Sequence, residues 1–177
     1  MAKHMFVDES KARSYVLAGV ICPSGSFGSV RKLLTGFLLP GQTRLHFSKE
    51  RRTRKSEIIR ALLETPLSAV IIETPKKPSE IEARARVLRR LVRETQELSI
   101  DRLVIEQDSS ALTLDKRVLS ESLSHLGHPR ELDDAWLPPQ QEPLLWAADA
   151  CAWAWSAGKE WKALIRSITR SMTLPFP

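Results

Sequence analysis

Apolar residues in this chain gather in short runs, and the spacing within each run predicts its element. Residues 5–7 and the longer run 15–22, rich in Val and Ile, read as two strands joined by the polar stretch 10–14, which suits a hairpin connection. Pro23, Ser24, Gly25 and Ser26 break the second strand. Residues 30–39 predict a short helix closed by Pro40-Gly41, and 48–63 a second helix that is very basic in its first turns. Residues 67–73, bounded by Pro66 and Pro75, predict a strand with Ala-Val-Ile-Ile at its centre.

The clearest helix opens at Pro78-Ser79, with Glu80 and Glu82 in its first turn. Its apolar positions Ile81, Ala85, Leu88, Leu91, Val92 and Leu98 fall on one face. Residues 103–106 predict a strand, 114–126 a helix, and 132–137 either irregular chain or a short final strand. Residues 142–157 are apolar nearly all round, which predicts a buried helix. The last segment, 159–172, has amphipathic helical spacing, with Trp161, Leu164, Ile165, Ile168 and Met172 inward and Lys159, Lys162, Arg166 and Arg170 outward. The expected class is α/β: an N-terminal β-hairpin and further strands in a mixed sheet, flanked by helices. No repeat, low-complexity tract or linker divides the chain, so a single domain over 5–177 is expected. The opening Met-Ala-Lys-His-Met has the composition of a cloning remnant, with Met5 as the natural start.

Composition narrows the function classes. With 177 residues, 42% hydrophobic and 27% charged, the chain is long enough for one full core and is not a disordered polymer. A net charge of +6 favours polyanionic partners such as nucleic acid. Only Cys22 and Cys151 occur, each in an apolar run, which argues against a disulfide framework or a cysteine zinc site and fits a reducing cytoplasm. The N-terminal apolar run is too short for a secretory leader, and the run around Asp149 is too short to span a bilayer, so no membrane association is expected.

Carboxylates are the candidate chemistry. Asp8 and Glu9 close the first strand, and strand alternation sends them to opposite faces. Asp8 reads either as a metal ligand or as a turn cap. Asp149 is the only charge between Glu142 and Lys159, and a buried carboxylate needs a metal, an arginine or the mouth of a cleft. Glu106 and Asp108 lie two apart at a strand end, on one face if the strand persists, and suit Mg²⁺ or remain solvated. Glu73 has a comparable, weaker position. His46 precedes the basic run Lys49, Arg51, Arg52, Arg54 and Lys55, which either contacts phosphates or forms a solvated helix face. His125 and His128 lack a third ligand nearby for zinc. The five tryptophans could stack on bases, but their spacing favours core packing for most.

Taken in order, three motifs carry a resemblance. Phe6-Val7-Asp8-Glu9-Ser10 followed by Tyr15-Val16-Leu17-Ala18-Gly19-Val20-Ile21, then Leu45-His46-Phe47, then Pro143-Leu144-Leu145-Trp146-Ala147-Ala148-Asp149 resemble a large family of bacterial and phage proteins known as domain of unknown function 3800. The resemblance runs from Phe6 to about Trp155. It implies an RNase H-like fold and a metal-dependent nuclease in which Asp8 and Asp149 meet, with Asp108 or Glu106 completing the cluster and Glu9 beside it. Such carboxylates hold Mg²⁺ or Mn²⁺, which activates water against a phosphodiester of RNA or DNA. His46, Arg51, Arg52, Arg54 and Lys55 would hold the backbone. A role as a toxin or in phage defence, with an antitoxin as protein partner, belongs to the same expectation. Two positions depart from the family pattern: Lys11 replaces a glycine and Trp146 a glutamine. They keep open an alternative, a catalytically inactive module that binds nucleic acid or a protein.

Overall fold

The computed structural model describes residues 1–127 and 132–175. His128, and with it half of the His125/His128 pair, lies outside the described residues. The hairpin is β1 (Lys3–Ser10) and β2 (Tyr15–Pro23), paired antiparallel with Val7 opposite Gly19. β1 begins at Lys3, so two residues set aside in the sequence reading extend the strand.

Six strands form one mixed sheet in the order β5-β4-β1-β2-β3-β6. β3 (Ser68–Thr74) is antiparallel to β2, and β4 (Arg102–Glu106) is parallel to β1. The edges are β5 (Asp133–Leu137), parallel to β4, and β6 (Thr169–Thr173), parallel to β3. Central strands are covered on both faces and so read as continuous apolar runs. β2 shows this: Val16, Ala18, Val20 and Cys22 enter one core, while Tyr15, Leu17 and Ile21 enter the other.

On the first face lie α1 (Phe27–Thr35), α2 (Arg52–Leu63), α5 (Leu144–Ser156) and α6 (Lys159–Ile165). α5 is the central helix here. Its alanines at 147, 148, 150, 152 and 154 are almost fully buried, and small side chains let its backbone approach β1 and β2. The second face carries α3 (Glu80–Glu97) and α4 (Leu112–Leu126). The Ser79 side chain accepts a hydrogen bond from the Glu82 amide at 3.2 Å, capping α3 as its sequence suggests. Gly19 permits close packing there, because a Cβ would stand 2.7 Å from Met5 Sδ and 3.3 Å from Leu91.

Three expectations change. The helix expected over 159–172 stops at Ile165; a 3₁₀ turn, Arg166–Ile168, leads into β6. The open edge of β3 offers Thr169–Thr173 a backbone ladder, which outweighs a helical spacing spread over polar and β-branched residues. Residues 132–137 do form a strand, though not the last one. Ile81, expected inward, is 66% exposed in the first turn of α3. Trp146, Trp155 and Trp161 pack in the core, as their spacing implied, and Trp136 and Trp153 are half-buried. Among the described residues no helix is long and apolar enough to cross a membrane.

Candidate active site

Strand alternation sorts the acids of the sheet. On β1, Phe6 faces the α5 side and Val7 the α3 side, so Asp8 lies toward α5 and Glu9 toward α3. Parallel pairing of Val7 with Ile105 then brings Asp8 alongside Glu106 at the carboxyl ends of β1 and β4. The Glu106 charge lies close enough to disfavour ionisation of Asp8. Asp8 Oδ1 also accepts from the Glu9 amide at 2.7 Å. From above, the second turn of α5 delivers Asp149, whose Oδ2 accepts from the Phe47 amide at 2.9 Å and stands 3.8 Å from His46 Nδ1.

The segment 44–47 alternates like a strand. Leu45 and Phe47 are 2% and 1% exposed and anchor in the core, Phe47 edge-on to Trp153 with centroids 5.3 Å apart. The intervening residues face the carboxylates: His46 meets Asp149, and Arg44 Nη1 lies 3.5 Å from Glu106 Oε1.

All three carboxyls are harder to ionise than usual. Burial pushes Asp8 well above the ordinary carboxylate range, and the charges of Glu106 and Asp149 add to the shift, partly offset by the Glu9 amide. Burial also raises Glu106; Arg44 opposes that rise, and Asp149 and Glu9 reinforce it. Asp149 is raised by burial against the stabilising Phe47 amide and the nearby His46 and Arg44. Such a cluster gains from a proton or a divalent cation. An oxygen-only donor set suits Mg²⁺ or Mn²⁺, so the donors present fit the expected metal chemically. Among the described residues, however, no group of three or more His, Cys, Asp or Glu side chains already stands in a coordinating arrangement.

The other acids expected in the site lie elsewhere. β4 ends at Glu106, and Asp108 caps the following turn, with Oδ1 accepting from the Ser110 amide at 2.9 Å and Ser110 Oγ at 2.6 Å. Those bonds hold its carboxyl below the usual range. Glu9 is taken by Arg84 Nη1 at 2.8 Å, and Lys11 Nζ lies 3.4 Å from Glu9 and 4.0 Å from Asp108. Glu73 accepts from Ser14 Oγ at 2.6 Å and Trp155 Nε1 at 3.0 Å. Lys11 and Trp146 both point away from the three carboxylates, Lys11 toward Glu9 and Asp108 and Trp146 Nε1 onto the Pro139 carbonyl at 2.6 Å.

The basic run divides. Arg52 Nη2 donates to both Glu160 carboxylate oxygens, Arg54 holds Glu50 and the Phe37 carbonyl, and Lys55 Nζ donates to the Ser48 carbonyl at 2.9 Å while lying 4.3 Å from the Trp153 ring centroid. Arg51 and Lys49 are exposed and line, with His46, an open depression of about 460 Å³. Two arginines central to the arrangement, Arg44 and Arg84, were missed in the sequence reading. The alternation of 44–47 could have marked Arg44, whereas nothing local marks Arg84.

No family model matches the chain, and no curated protein matches it. Among solved structures it is similar to the RNase HII of Archaeoglobus fulgidus, determined in complex with PCNA, with a TM-score of 0.56. The match has 16% sequence identity and covers 84% of this chain and 70% of that one. The fold is RNase H-like. In this RNase H-like sheet, Asp8 lies near the end of β1 and Glu106 at the end of the adjacent parallel β4, and α5 brings Asp149 to them.

Proposed function

We propose that the protein is a divalent-metal-dependent nuclease that hydrolyses phosphodiester bonds of RNA or DNA. The observation that carries this reading is the convergence of Asp8, Glu106 and Asp149, all desolvated and mutually repelling, at one end of an RNase H-like sheet. Pure structural packing gives no reason to gather three such carboxylates, because each disfavours the charge of the others. Asp8 and Glu106 would hold a Mg²⁺ or Mn²⁺ ion from the sheet and Asp149 from the helix. Bound there, the ion supplies Lewis acidity and lowers the pKa of a water.

The chain's own residues position the reaction. The Phe47 amide fixes one Asp149 oxygen, leaving the other free to accept. Hydrolysis joins the water oxygen to phosphorus and expels the ester oxygen, which leaves with a proton. The water supplies that proton, and His46, 39% exposed, stands beside Asp149 on the solvent side. Arg51 and Lys49, at the rim of the depression that includes His46, would attract the phosphate backbone without reading bases.

A catalytically inactive binding module is the second reading, favoured by the Arg44–Glu106 pair, which already neutralises part of the cluster. Cleavage of labelled single- and double-stranded RNA and DNA with Mg²⁺, Mn²⁺ or EDTA separates the two. The nuclease reading expects EDTA-sensitive cutting lost in Asp149→Asn with folding intact. Equal cutting by the variant, or salt-sensitive binding with no cutting by either protein, refutes it.

A further inference from the structure

The most informative side chain at the site belongs to none of the motifs. Arg44 comes from the irregular segment between α1 and α2, and its guanidinium lies 3.5 Å from Glu106 Oε1. Its 30% exposure shows that part of the side chain meets solvent, while Leu45 beside it is locked in the core. The remaining cations near the cluster differ. Arg84, Lys11 and Lys55 are engaged with Glu9, Asp115, Asp108 or backbone oxygen, and Arg52 and Arg54 with Glu160 and Glu50. Arg44 is therefore, among the described residues, the one Arg or Lys paired directly with a carboxylate of the Asp8–Glu106–Asp149 cluster, where the other basic side chain is the His46 imidazole.

A cation at Glu106 competes with a metal for the same oxygen. While Arg44 stays beside Glu106 Oε1, it neutralises part of the charge that would draw a cation there. Resting on the nuclease reading, we infer that Arg44 is an exchangeable counter-ion: it yields Glu106 to the metal and moves to the phosphate of the substrate. The anchored neighbours Leu45 and Phe47 confine the movement to the Arg44 side chain, which needs no loop rearrangement. A guanidinium has the fork geometry and permanent charge to bind a phosphate oxygen as charge accumulates on it. Arg44 thus contributes twice, first against metal binding and then toward the transition state.

The two contributions have opposite signs, which makes them testable together. Mn²⁺ binding would be measured by titration calorimetry on wild type, Arg44→Ala and Arg44→Lys, with thermal midpoints as a check on folding. Cleavage at saturating Mn²⁺ would be measured in parallel. Removing a partly exposed competitor tightens Mn²⁺ binding in Arg44→Ala roughly two- to fivefold. Cleavage in the same variant falls roughly a hundredfold, as for loss of one oriented donor. Arg44→Lys keeps the charge without the fork, so its Mn²⁺ affinity stays near wild type while cleavage falls. Unchanged or weaker Mn²⁺ binding by folded Arg44→Ala overturns the counter-ion role. Tighter binding with undiminished cleavage overturns the role at the phosphate. If wild type cuts no substrate but Arg44→Ala still binds Mn²⁺ more tightly, the counter-ion stands and the nuclease reading falls. Absence of Mn²⁺ binding by all three overturns both.

Discussion

Replacing Arg84 by methionine tests the charged network beneath the second face of the sheet. Arg84 and Asp115 are 4% and 1% exposed, and they meet through two parallel bonds, Nε to Oδ1 at 2.6 Å and Nη2 to Oδ2 at 2.7 Å. The remaining nitrogen, Nη1, donates to Glu9 Oε1 and Tyr15 Oη, each at 2.8 Å. Arg84→Met fills similar volume but strips Asp115 of its ion-pair partner in an apolar surrounding. Breaking a buried pair from one side costs roughly 3–5 kcal/mol. At about 2–4 °C per kcal/mol for a domain of this size, the thermal midpoint should fall by roughly 6–20 °C. The double variant Arg84→Met/Asp115→Leu removes both charges and should recover most of the loss, since a well-packed apolar pair is often no worse than an ion pair. Urea unfolding followed by circular dichroism gives the three free energies. A loss below about 1 kcal/mol in the single variant, or a double variant as unstable as the single, would refute the assignment of the network as a buried, mutually dependent pair.

Two further outcomes follow from the site. Asp8, Glu106 and Asp149 all have raised folded-state pKa values, so the stability they contribute is present at low pH and is lost as pH rises through those values. In EDTA, Asp8→Asn should therefore melt above wild type at pH 8 by about 3 °C or more, the gap closing toward about pH 4; a variant that melts lower at pH 8 sinks the repulsion argument. Arg51→Ala should reduce the slope of log affinity against log salt for nucleic acid by about one while leaving stability unchanged. Arg54→Ala should instead destabilise the fold by about 1 kcal/mol or more, because Arg54 ties Glu50 to the Phe37 carbonyl. Equal salt slopes for wild type and Arg51→Ala would remove Arg51 from the binding surface.

Much of the architecture was legible because its burial is extreme. The β2 run and the all-round apolar α5 each identify a central element, and a lone Asp149 in α5 marks a position where charge must be accommodated. Strand alternation also separated Asp8 from Glu9 correctly. β6 was not legible: Ile168 and Met172 continue a helical spacing from Trp161, and only the open edge of β3 decides otherwise. The pair Glu106 and Asp108 shows the same limit. Their spacing puts them on one face only while the strand lasts, and β4 ends at Glu106. Arg84 was hidden for a different reason. It sits on the buried face of an otherwise regular helix, and its partners are 31, 69 and 75 residues away in the chain.

Asp8 and Glu9 are neighbours in the chain with opposite duties, one held among acids and the other on a guanidinium. Because side chains alternate, sliding β1 by a single residue would turn Glu9 to the α5 face and Asp8 to the α3 face. It would also turn Phe6 out of one core and Val7 out of the other. Arg84 therefore does more than neutralise its pocket: by gripping Glu9 it pins the strand in the one alignment that leaves Asp8 beneath Asp149. The chemistry on one side of the sheet is set in place by an ion pair on the other.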